Sequence, residues 1–125
     1  MRALLFVGLG GGLGAMARYG VGALVLHLVG APRFPLATFF VNVLGCLLIG
    51  VIAAVAERWH LFPFEIRLFI ITGVLGGFTT FSSFGYETIF LLRRGDLLYA
   101  GLNVLLSLAC GLGAVWLGGR LVLGR

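Results

Sequence analysis

Acidic residues are scarce in this sequence: four in 125 residues, against nine basic ones that are all arginine. None occurs before Glu57. Glu57, Glu65 and Asp96 sit at the ends of apolar runs and only Glu87 lies inside one. No pair of carboxylates can therefore be assembled for acid–base work, and no nucleophile–base pair either. His27 and His60 also fall at or near segment ends, so no metal-ligand cluster forms, and enzyme chemistry is excluded on this inventory. The two cysteines, Cys46 and Cys110, lie inside apolar runs without C-x-x-C spacing. That excludes a redox or zinc motif and leaves them as small buried residues. No basic run is longer than Arg93-Arg94, which argues against nucleic acid despite a net charge of +5. Polar stretches long enough for a soluble domain, linker or low-complexity tail are missing.

Apolar sequence fills the space that these absences leave. The chain is 61% hydrophobic and 10% charged, with a mean hydropathy of +1.16, and the charges cluster between apolar runs. Spanning a bilayer takes about 20 apolar residues. Four runs qualify: Ala3 to Val29, the stretch after Pro35 to Val55 or Ala56, Phe64 to Leu92, and Leu97 to Leu123. Trp59, Tyr99 and Trp116 lie near their ends, as interfacial aromatics do. The first run is too long for a removable signal, contains Arg18 and lacks an A-x-A-like exit. The expectation is an all-α membrane protein, one four-span domain over residues 1–125, embedded in a lipid bilayer.

Four spans place both termini on one side, with Arg2, Arg58, Arg67, Arg120 and Arg125. Arg33, Arg93 and Arg94 lie opposite. A bias this slight fits either a weak preference for cytoplasmic termini or insertion in both orientations.

The third run is roughly eight residues longer than a span requires, and its centre reads Gly73-Val74-Leu75-Gly76-Gly77-Phe78-Thr79-Thr80-Phe81-Ser82-Ser83-Phe84-Gly85. Two adjacent glycines, two β-branched threonines and two serines that compete for local backbone predict a helix broken near the bilayer midplane. Irregular backbone survives at that depth only where protein shields it or a cavity receives it. A midplane break is thus a candidate ion or substrate site.

Other polar residues inside the runs have two readings each. The G-x-G-x-x-A match at Gly10, Gly12 and Ala15 has no acid about 20 residues on, so it is no dinucleotide site; Gly8/Gly12 and Gly10/Gly14 suit close helix packing. Arg18 either snorkels to an interface or faces a cavity and favours anions. Thr38 and Asn42 share a helical face at i, i+4, and Asn42 serves as interhelical glue or as an amide donor to a partly dehydrated anion. Asn103 and Ser107 repeat that spacing and suit the other wall of a pathway. Phe78, Phe81 and Phe84 recur every three residues. Such a stripe is ordinarily core, although aromatic edges beside Ser, Thr and Asn donors also tolerate an anion.

Three stretches resemble one family, the Fluc (CrcB-type) fluoride channels: Gly11-Gly12-Leu13-Gly14-Ala15-Met16-Ala17-Arg18-Tyr19, Thr38-Phe39-Phe40-Val41-Asn42-Val43-Leu44-Gly45, and Gly76 through Phe84. The resemblance covers essentially the whole chain. It implies an antiparallel, dual-topology homodimer in a bacterial or archaeal plasma membrane, conducting fluoride passively through two pathways. It further implies a structural Na⁺ at the dimer centre, held by the backbone carbonyls of Gly76 and Thr79. Asn42, Phe81, Phe84 and Ser107 would line the pathway with the hydroxyls of Thr38, Ser82 and Ser83, and Arg18 would stand in the vestibule. The chain departs from the family's usual pattern at Ser83, where Thr is common, and at Asn103, where Tyr is common. The first change keeps the hydroxyl, and the second alters the fourth-helix contact. Two other classes share the size and span count. A dual-topology multidrug exporter would need a membrane-embedded carboxylate, which the first run lacks. A non-transporting assembly subunit would need only the glycine-rich packing.

Overall fold

The computed structural model describes residues 1–124, which form helices and no strands. Helix α1 covers Arg2–Val29 and α2 covers Leu36–Trp59. The third span, Phe64–Arg93, divides into α3, residues 64–78, and α4, Phe81–Arg93. Helix α5 covers Leu97–Leu123. All four spans are long and apolar enough to cross a membrane, and the protein is a multi-pass membrane protein.

The span ends are written in local chemistry. Pro35 and Pro63 precede α2 and α3, where the missing N–H costs no helical bond. Between α4 and α5, Gly95 adopts φ 81°; its N–H donates to Leu92 at 3.1 Å while Asp96 N–H reaches back to Leu91 at 2.9 Å. This Schellman closure satisfies carbonyls that the end of α4 would otherwise orphan. The guanidinium of Arg58 donates to the Val122 carbonyl, tying the C-terminal ends of α2 and α5 on one side. There Arg58 and Arg120 each lie 5.0 Å from a tryptophan ring, Trp59 and Trp116, in the interfacial arrangement expected.

Small residues, not large apolar ones, set the packing. Lipid tails are as apolar as leucine, so helices in a membrane gain by approaching closely. The two extensive pairs are α1 against α3 and α2 against α5. A Cβ on Gly50 would strike the Val115 carbonyl and one on Gly118 the Leu47 carbonyl. In α1 the close row is Gly10 and Gly14, which meet the carbonyls of Phe69 and Val74; Gly8 and Gly12 face open space. Of the two glycine rows expected to pack, one does. The large buried side chains are few, among them Val41, Leu75, Phe78 and Leu91. Leu4, Leu9, Leu98, Leu112 and Leu121 stay exposed, as suits a surface bathed in lipid.

The third span departs from a regular helix earlier than its composition suggests. Residues Leu68–Leu75 form a π-helix, a wide turn that is uncommon and frequent near functional sites. It coincides with a close approach of α1, where a Cβ on Gly73 would stand 2.9 Å from Gly10 Cα. Gly76 and Gly77 remain helical. The break itself is Thr79-Thr80, both extended, with φ −79° and ψ 155° at Thr79 and φ −147° and ψ 110° at Thr80. It falls close to the middle of the span. Beyond it, α4 leans mainly on α5 and touches α2 sparsely, which leaves the start of α4 uncovered.

Candidate functional site

Asn42 bridges the break. Its Nδ2 donates to the Thr80 carbonyl at 3.0 Å and its Oδ1 accepts from Thr80 N–H at 2.7 Å. In a continuous helix that N–H would close onto Gly76. Asn42 therefore takes the donor that belongs to the Gly76 carbonyl. One position on, Thr80 caps α4: its hydroxyl accepts from Ser83 N–H at 3.2 Å, the usual task of an N-cap threonine. That removes the donor that would have reached Thr79. Both carbonyls that the family resemblance singles out, Gly76 and Thr79, have thus lost their helical partners to side chains, and Gly76 is exposed.

Between them lies the Gly77 carbonyl, and Arg18 Nε donates to it at 3.2 Å. The sequence leaves Arg18 between snorkelling and lining a cavity. Its guanidinium in fact reaches the C-terminal end of α3, where a cation complements both the orphan carbonyl and the helix dipole. The Thr79 hydroxyl folds back onto Leu75 at 3.0 Å.

Around this junction opens a cleft of about 340 Å³, lined by Asn42, Thr79, Thr80, Phe81, Phe84 and Ser107 among others. Its polar groups come from α2, the break and α5, and its apolar walls include Ile49, Ile71 and Leu75. The rings of Phe81 and Phe84 are 5.5 Å apart and inclined at 42°. Phe81 is 82% exposed although it stands in the centre of the span. The phenylalanine stripe therefore divides at the break. Phe78 is core, 5% exposed, whereas Phe81 and Phe84 face the cleft. Reading the whole stripe as core misses this, because the register turns where the helix stops.

The remaining sequence-derived residues separate. Ser82 and Ser83 line a different hollow with Tyr86 and Glu87, their hydroxyls 3.2 Å and 3.1 Å from Thr80 Oγ1. Thr38 shares a face with Asn42 yet meets another partner, donating to Glu87 Oε1 at 2.7 Å. Glu87 Oε2 is buried with no hydrogen-bond partner among the described residues. Glu87 also borders a cavity of about 360 Å³ that Arg33 and Arg94 flank near the loop end. A signal for Glu87 exists, since it is the one acid inside a run, but nothing in the sequence connects it to Thr38. Asn103 does not line the cleft. It is 2% exposed between α4 and α5, where it donates to the Thr88 hydroxyl at 2.9 Å.

The family described as "CrcB-like protein, Camphor Resistance (CrcB)" matches residues 5–119. This chain belongs to the CrcB-like family. Curated relatives agree over the full length. A protein of Methylobacillus flagellatus named "Fluoride-specific ion channel FluC" is 43% identical over 98% of this chain and 95% of its own. One of Shewanella baltica with the same name is 46% identical over all of this chain and 99% of its own. In this CrcB-like chain the cleft is lined by an amide, hydroxyls and aromatic edges, with one arginine at the break's backbone and no acid among its lining residues. Such a surface is chemically suited to a small anion, with Arg18 the fixed positive charge beside it.

Proposed function

We propose that this CrcB-like protein is a passive, fluoride-selective channel that lets F⁻ accumulated in the cytoplasm leave across a bacterial plasma membrane. The observation that carries the reading is the Asn42 clamp on Thr80, which holds a helix break open beside a cleft of amide, hydroxyl and aromatic-edge groups. Fluoride is small and strongly hydrated, so several donors must replace its water together. Ion channels meet that need with rings of groups that bind firmly enough to admit an ion and weakly enough to release it. One chain supplies one wall. The exposed Phe81 and Gly76 suit a second, antiparallel copy that would close the cleft and give two pathways.

The carbonyls of Gly76 and Thr79 are neutral, hard oxygens without helical donors, and hard cations prefer oxygen ligands. They fit a structural Na⁺ shared with the second copy, which would offset the partial negative charge of carbonyl ends that meet at the dimer centre.

The experiment that tests the reading is ion release from liposomes containing the purified protein. With potassium and valinomycin balancing charge, fluoride should leave the vesicles while chloride stays. Vesicles that lose no fluoride, or both anions alike, would refute it.

A further inference from the structure

Three hydroxyl and amide groups, running from the cleft wall into the protein, form a chain with one direction. Thr88 has a single hydroxyl proton and spends it on the Phe84 carbonyl at 2.8 Å. It must therefore accept from Asn103, which fixes the Nδ2 end of that amide toward Thr88 at 2.9 Å. The Oδ1 end then faces Ser107, so at 3.3 Å the serine is the donor. A hydroxyl has one proton and an amide oxygen has none, so no other consistent assignment exists for the three bonds. Ser107 lines the cleft, but its proton points into the protein.

We infer that Asn103 is a positioning residue that turns the Ser107 proton away from the cleft, so that a passing fluoride must compete with Asn103 for it. An anion at Ser107 gains that proton only by leaving Asn103 Oδ1 unpaired in a site that is 2% exposed. Leaving a buried acceptor unmet is costly. The competition shortens the ion's stay at Ser107 and keeps that position from trapping it, which conduction through successive weak sites requires.

The inference rests on the fluoride-channel reading, and the test separates the two. Fluoride flux from liposomes is measured against fluoride concentration for the wild-type protein, Asn103→Leu, Ser107→Ala and the double variant. Leucine removes the competing acceptor at similar volume. The half-saturating fluoride concentration should fall by about fivefold, with a lower maximal flux, as expected for loss of one competing hydrogen bond. In the Ser107→Ala background the same substitution should leave half-saturation where it was. A purely structural Asn103 would act alike in both backgrounds, and that result, or an unshifted Asn103→Leu, overturns the inference. A wild-type protein that releases no fluoride overturns the channel reading itself. If Asn103→Leu cannot be purified, Thr88→Val and Thr88→Ser decide. Valine frees the Asn103 amide to turn and should lower half-saturation, whereas serine keeps the bond and the wild-type value. An unchanged value in Thr88→Val overturns the proposal.

Discussion

Replacing Asn42 by aspartate should lower fluoride flux by on the order of 100-fold, the loss expected when one hydrogen bond to a charged group disappears and a buried partner is left unmet. The geometry gives the substitution two effects of the same sign. The Thr80 carbonyl, which now accepts from Nδ2 at 3.0 Å, would face a second oxygen. An ionised carboxylate would also place negative charge on the wall of a cleft that receives an anion. An aspartate at this position keeps an acceptor for the Thr80 N–H, now met at 2.7 Å, so the break itself should persist and the protein should still purify. Liposome flux checks the outcome. A rate within about twofold of wild type, well short of the loss of a charged hydrogen bond, would mean that fluoride does not pass Asn42.

Adding a methyl group to Gly14 should destabilise the protein by about 1–3 kcal/mol, the range for overpacking a tight contact. A Cβ there would strike the Val74 carbonyl and stand 2.9 Å from the Phe78 nitrogen. Both neighbours are backbone and cannot swing aside. The contact also seats α1 on the segment that leads into the break, so displacing it moves the Arg18 guanidinium away from Gly77. Gly12→Ala is the control, because that position faces open space and should melt like wild type in detergent. Equal melting of Gly14→Ala and Gly12→Ala would contradict the packing described.

The contrast between Gly12 and Gly14 shows where sequence stops being informative. Four spans are legible because about 20 apolar residues in a row leave few alternatives. The break is legible because Gly76-Gly77, Thr79-Thr80 and Ser82-Ser83 all disfavour a helix interior for independent reasons. Which glycine row of α1 meets α3 depends on how that helix is rotated, and glycine carries no side chain to signal it. The π-helical stretch Leu68–Leu75 is equally silent, since LFIITGVL suits an ordinary helix as well. Tertiary bonds are the other gap. Thr38 and Asn42 share a face, which suggests a joint role, yet one reaches Glu87 and the other Thr80. One partner stands at the break and the other beyond it on α4. Asn103 and Ser107 show the same effect, one buried behind the cleft and the other on its wall.

Two carbonyls that side chains have stripped of their helical donors are central to the proposed channel, together with a second copy bringing its own pair to meet them. Diffraction from the purified protein in lipid, with sodium exchanged for thallium(I) to mark the cation by anomalous scattering, tests this most directly. A peak within coordinating distance of the Gly76 and Thr79 oxygens of two antiparallel chains is expected. An uninterrupted helix through residues 76–81, or an antiparallel pair with no cation between those oxygens, would contradict it.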